Sequence, residues 1–76
     1  MTVKAYVLME TLVGTTRDVA RSLRQVDDVK AVDIVTGPID IVALVEGHDM
    51  GQIGEIITSK IHAIAGIERT TTCLVM

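Results

Sequence analysis

A two-layer α+β fold, one four-stranded antiparallel sheet with two helices on one face, is predicted for this chain by three observations. First, the hydrophobic period switches between two and 3.6 in the order β-α-β-β-α-β. Second, a shift of 38 residues, half the length of 76, lays Val3, Ala5 and Val7 on Ile41, Ala43 and Val45. The same shift lays Val19, Leu23, Val26 and Val29 on Ile57, Ile61, Ile64 and Ile67. Third, Gly37-Pro38 divides the two middle strands with the chemistry of a tight turn. Two β-α-β halves joined by a hairpin make the ferredoxin-like arrangement, in a single domain of residues 1–76. A parallel three-layer sheet would need more helices than the chain holds.

The elements follow in order. Val3, Ala5, Val7 and Met9 alternate with Lys4, Tyr6, Leu8 and Glu10, which predicts a strand ending before Gly14. Thr15 or Thr16 can cap the next helix, with Asp18 placed favourably in its first turn and Val19, Leu23 and Val26 forming its buried stripe. Residues 29–36 and 39–46 read as strands paired across Gly37-Pro38-Ile39-Asp40. Asp49 with Gln52 resembles a capping box, and Met50, Ile53, Ile57, Ile61 and Ile64 recur at helical spacing. Gly66 is placed to end that helix, and residues 67–76 form the last strand.

Composition narrows the function. With 49% apolar residues the chain is no disordered tail, yet apolar runs such as residues 41–45 are far short of the about 20 needed to span a membrane. Alternation begins at Val3, so no secretory signal is expected. Seven basic against ten acidic residues, with one Tyr and neither Phe nor Trp, speak against direct nucleic-acid binding. The lone Cys73 rules out an internal disulfide and fits a reducing, cytoplasmic setting. No metal site, cofactor or catalytic constellation is expected. His48 and His62 read as solvated residues, Cys73 as a small strand residue, and Arg17, Arg21 and Arg24 as the wet face of the first helix.

Two helices cover one sheet face only. Strict alternation assigns Tyr6, Leu8, Val32, Ile34, Val42, Leu44 and Leu74 to the other, with Lys4, Glu10, Lys30, Asp40 and Glu46 around them. An apolar centre with a charged rim is interface anatomy, and a patch of that size exceeds what monomers usually expose. Two subunits are therefore expected to pack sheet against sheet. The same alternation turns Asp33 and Thr71 toward the helices, which predicts bulging or fraying in the outer strands.

Two motifs carry candidate ligand chemistry. The hairpin Thr36-Gly37-Pro38-Ile39-Asp40 sets a flexible backbone beside a carboxylate, a pairing able to hold a carboxylate and an ammonium together. In Thr70-Thr71-Thr72, alternation sends the Thr70 and Thr72 hydroxyls to one face.

The stretch from Asp33 to Ile41, with Gly37-x-x-Asp40, followed by Ala65-Gly66-Ile67 and Thr70-x-Thr72, resembles the effector (RAM) domain of Lrp/AsnC transcription regulators. The likeness runs from about Val3 to Val75. It implies an ACT-like, dimeric α/β subunit that pairs through its sheet, with dimers assembling into rings or octamers and amino-acid effectors bound between them. Carried over residue by residue, it points to Gly37, Asp40, Thr70 and Thr72 as ligand-binding, with Pro38 and Ile39 as pocket wall. The helix-turn-helix domain of most members has no counterpart in these 76 residues, so the resemblance implies a stand-alone version that acts without touching DNA. Ile39 stands where many members have an aromatic residue. The expectation is an amino-acid-binding, self-assembling module, with itself, an effector and full-length Lrp/AsnC regulators as partners. The alternatives are a purely structural oligomerisation module or a small ferredoxin-like enzyme.

Overall fold

Alternation fixes the first strand: Ala5, Val7 and Met9 are fully buried, whereas Lys4 and Tyr6 are exposed. This is β1 (Val3–Thr11) in the computed structural model, which describes residues 2–76; Met1, the first residue of the expected domain, lies outside them. There follow α1 (Thr16–Leu23), β2 (Val29–Ile34), β3 (Ile41–Gly47), α2 (Met50–Ile56), a π-helical turn (Ile57–Ile61) and β4 (Ile67–Leu74). The strands form one antiparallel sheet in the order β2-β3-β1-β4, the ferredoxin-like topology that the repeat predicts.

The two halves of the repeat meet in the core. On the central strands, Ala5, Val7 and Met9 pair across from Val45, Ala43 and Ile41, and all six are fully buried. Val19, Ala20 and Leu23 of α1 press on this face beside Ile53, Ile56, Ile57 and Ile61. Burying side chains of this kind contributes about 1.5–3 kcal/mol each.

Details of the helices differ from the sequence expectation. Thr15 stands at the N-cap of α1 but makes no cap bond; its Oγ1 donates to the Leu12 carbonyl at 2.7 Å instead. Val26 falls beyond α1, where its N–H donates to the Leu23 carbonyl. The Asp49 cap is present, accepting from the Gln52 N–H at 2.7 Å, while Gln52 Oε1 accepts from the His48 N–H. Met50 stays 63% exposed, and the regular helix gives way to the π turn at Ile57, short of Ile64. Gly66 therefore does not cap a helix. It holds φ +100° so that its backbone can pass the start of α1, where a Cβ would stand 2.8 Å from Thr15 Oγ1 and 2.9 Å from Val19 Cγ2.

The outer strands correct five face assignments. The β2–β3 register slips between Val29 and Ala31, and the β1–β4 register slips between Glu10 and Thr11. Each bulge adds one residue and inverts the parity of what lies beyond it. Val32 consequently pairs with Ala43 and packs on the core, Ile34 pairs with Ile41, and Leu74 pairs with Ala5. All three lie on the helix side rather than the open face. Asp33 and Thr71 go the other way, pairing with Val42 and Leu8 on the open face. The bulges expected in these strands are present, but they act upstream of Asp33 and Thr71.

Candidate functional site

The β2–β3 connection is wider than a two-residue turn. Val35 N–H donates to the Asp40 carbonyl at 2.9 Å, closing a loop over residues 35–40, so β2 stops before Thr36 and β3 starts after Ile39. Gly37 takes φ +134° with open space around it, so conformation alone calls for glycine there. Asp40 returns the chain to the sheet. Its N–H donates to the Met9 carbonyl at 2.9 Å, and its Oδ2 accepts from the Thr11 N–H at 2.8 Å. The carboxylate thus replaces one rung of the β1–β3 ladder and keeps its other oxygen for a second donor. Pro38 is exposed and Ile39 half-buried on the same loop.

Thr70 and Thr72 share a face, as alternation requires, and it is the helix side: they pair with Met9 and Val7. Thr70 Oγ1 and His62 Nε2 share a hydrogen bond of 3.1 Å across a cleft of about 310 Å³ lined also by Ile67, Glu68 and Arg69. Thr72 borders a neighbouring, mainly apolar groove between α2 and β4 with Met50, Ile53, Ile57 and Leu74. Met9 pairs with both Ile41 and Thr70, so the hairpin and the start of β4 reach the same end of the sheet, with β1 between them. Adjacent strands are spaced by about 4.8 Å, which sets the two motifs about 10 Å apart. Within one chain they do not share a cleft. His62 is exposed, as the sequence reading expects; what that reading did not disclose is its contact with Thr70.

The open face has a smaller apolar centre than expected and a better-ordered rim. Tyr6 pairs with Leu44 and Leu8 with Val42 on the two central strands, and among the described residues no helix or strand covers them. Tyr6 is 46% exposed. Ala31 and Asp33 flank them on one side, Thr71 and Cys73 on the other. Opposite charges face each other at both ends, as Lys4–Glu46 and as Glu10–Arg69, the latter with Arg69 Nε 3.9 Å from Glu10 Oε2.

Elsewhere the Lys60 ammonium lies 2.7 Å from Asp28 Oδ2 and ties the π turn to the loop before β2. This hydrogen bond holds the Asp28 carboxyl below its ordinary value and raises the Lys60 ammonium above its own. Arg21 pairs with Asp18 and Arg24 donates to the Val32 carbonyl, so two of the three helix arginines are engaged within the chain. Among the described residues no group of three or more His, Cys, Asp or Glu could hold a metal ion, and no helix is long and apolar enough to cross a membrane.

Solved structures repeat this architecture closely. FFRP-DM1 superposes with a TM-score of 0.92 at 31% identity, over 97% of this chain and 99% of that one. The hypothetical protein PHS023 from Pyrococcus horikoshii gives 0.91 at 31% identity, over 97% and 89% of the two chains. AsnC from E. coli shares the fold, with a TM-score of 0.91 at 20% identity; this chain spans 50% of its length. No curated protein matches the sequence. The family profile described as the Lrp/AsnC ligand binding domain matches residues 4–76, nearly the whole of the sequence. The chain belongs to that family of regulatory ligand-binding domains.

Proposed function

We propose that this chain is an amino-acid-sensing module that assembles through its open sheet face and binds its effector between assembled subunits. The observation that carries the reading is the reach of the ligand-binding profile, which takes in both the hairpin and β4. Geometry supports it in two ways. Tyr6, Leu8, Val42 and Leu44 form an apolar centre that a second copy can cover, with the paired charges of the rim setting its orientation. The hairpin and the Thr70–Thr72 segment each carry half of a polar site at one end of the sheet, and a neighbouring subunit can bring the halves of two chains together. A regulator from Neisseria meningitidis with this fold was solved as an L-Met complex, which supports an amino acid as the ligand class.

In this reading the free oxygen of Asp40 holds the effector's ammonium, and the Gly37–Asp40 backbone holds its carboxylate. Thr70 and Thr72 meet the side chain. Binding between subunits favours the assembly that forms the site, because a ligand shifts an equilibrium by its differential affinity for the two states. Regulation then passes through other proteins, including full-length Lrp/AsnC regulators whose sheets can pair with this one.

Calorimetric titration of the twenty L-amino acids tests the proposal. At least one should bind the native protein, and Asp40→Asn should weaken it about tenfold or more, as expected when a charged hydrogen-bond partner is lost. A protein that binds none of them is a structural assembly module, and the sensing proposal is then wrong.

A further inference from the structure

Two irregularities of the backbone face one another across the cleft beside β4. On one side the helix unwinds into the π turn Ile57–Ile61, closed by the His62 N–H donating to the Ile57 carbonyl at 2.8 Å. On the other, β4 bulges between its Ile67 and Arg69 rungs, leaving Glu68 outside the ladder. Each changes which way the following side chains point. One extra residue in a helical turn rotates what comes next by about 100°. One extra residue in a strand exchanges its two faces. Were β4 regular from Ile67 onward, Thr70 would lie on the open face, where the uninterrupted alternation of the sequence places it. The bulge returns it to the helix side, and the π turn delivers His62 to meet it at 3.1 Å.

The contact sets an imidazole beside a hydroxyl. His62 and Thr70 line about 310 Å³ of open cleft together with Ile67, Glu68 and Arg69. The imidazole and the hydroxyl offer donors to an oxygen of planar geometry, while the Arg69 guanidinium turns to Glu10 on the open face and the adjoining groove that Thr72 borders is mainly apolar. π turns and bulges both occur preferentially beside functional sites, because they re-aim side chains that a regular element would misplace.

We propose that His62, acting with Thr70, determines effector specificity in this protein by selecting an amino acid whose side chain ends in a carbonyl oxygen, an amide or a carboxylate. The inference rests on the amino-acid-sensing reading above and assigns it a residue and a ligand class. His62 and Thr70 contact the ligand's side chain, whereas Asp40 and the hairpin hold the backbone groups common to all amino acids. Loss of His62 therefore alters choice among ligands, and loss of Asp40 weakens all of them.

Calorimetry on the native protein and on His62→Ala, His62→Gln and Asp40→Asn, with Asn, Gln, Asp, Glu, Leu and Met as probes, reads this directly. Circular dichroism and sedimentation confirm first that each variant is folded and assembled. The native protein should bind an amide or acidic amino acid at least tenfold more tightly than Leu or Met. His62→Ala should reduce that preference to threefold or less with Leu and Met affinities unchanged, and His62→Gln, which keeps a donor, should restore part of it. Native preference for Leu or Met overturns the inference, as does a His62→Ala variant that binds every probe as before or loses all equally. In those cases an Asp40→Asn variant that still loses affinity leaves the sensing reading standing. Native protein that binds no probe overturns the inference, and the full set of twenty then decides the reading itself.

Discussion

Replacing Gly66 by Ala is a stringent test of how the two layers meet. At φ +100° an L-residue pays conformational strain of about 1–2 kcal/mol. The added Cβ would also stand 2.8 Å from Thr15 Oγ1, 2.9 Å from Thr15 Cβ and 2.9 Å from Val19 Cγ2. Neither neighbour can swing aside. Both are β-branched, Thr15 is held to the Leu12 carbonyl, and Val19 is fully buried. Crowding of this kind costs about 1–3 kcal/mol, for a total of about 2–5 kcal/mol. A chain of this size has only about 4–11 kcal/mol to lose, so Tm should fall by about 10–30 °C. Two other glycines calibrate the effect. Gly37 has φ +134° and open space, so Gly37→Ala should show the strain alone, about 1–2 kcal/mol. Gly54 lies within α2 with nothing inside 4 Å, and Gly54→Ala should stabilise by about 0.5–1 kcal/mol. Thermal unfolding followed by circular dichroism at equal concentration gives the order, native and Gly54→Ala above Gly37→Ala above Gly66→Ala. A Gly66→Ala variant that melts within about 2 °C of the native protein would refute the packing argument.

Two further predictions follow from polar contacts. Asp40→Ala removes the acceptor of the half-buried Thr11 N–H and should cost about 1 kcal/mol in chemical denaturation, whereas Asp40→Asn keeps an oxygen in place and should cost less than half of that; equal losses would deny the carboxylate its place in the ladder. The Asp28–Lys60 pair should stabilise the fold fully between pH 3.8 and 10.5, because the folded Asp28 value is lowered and the folded Lys60 value raised. The advantage in Tm over Asp28→Asn should shrink as pH falls below 3.8, through the lowered carboxyl value, and as pH rises above 10.5, through the raised ammonium value. An advantage that does not change across those limits would contradict the pairing.

The two central strands were legible because β1 and β3 carry unbroken alternation, so Ala5, Val7, Ile41, Ala43 and Val45 could be placed on the core face from period alone. Element order was legible for a related reason, since the two halves repeat their apolar positions. The outer strands were not. Asp33 and Thr71 on the core side of a regular strand pointed to bulges but not to their places, and the slips beside Lys30 and Glu68 each reverse a strand, moving Val32, Ile34 and Leu74 to the helix side. The π turn escaped notice for the opposite reason. Ile53, Ile57 and Ile61 keep a regular spacing through it, and only its consequence at His62 departs from an α-helix. At the hairpin the sequence marked the turn and its carboxylate, while the backbone partner of that carboxylate, the Thr11 N–H, lies 29 residues away and depends on the register of β1 against β3.

The open sheet face remains the centre of the account, because sensing between subunits requires subunits that meet. Sedimentation equilibrium at micromolar concentration tests it most directly. Four apolar side chains left in water would forgo about 1.5–3 kcal/mol each, so the native protein should have at least twice its chain mass of 8.2 kDa, and Leu44→Asp should drive it toward the single chain. A native protein of 8.2 kDa at that concentration would contradict both the assembly and the effector site proposed to depend on it.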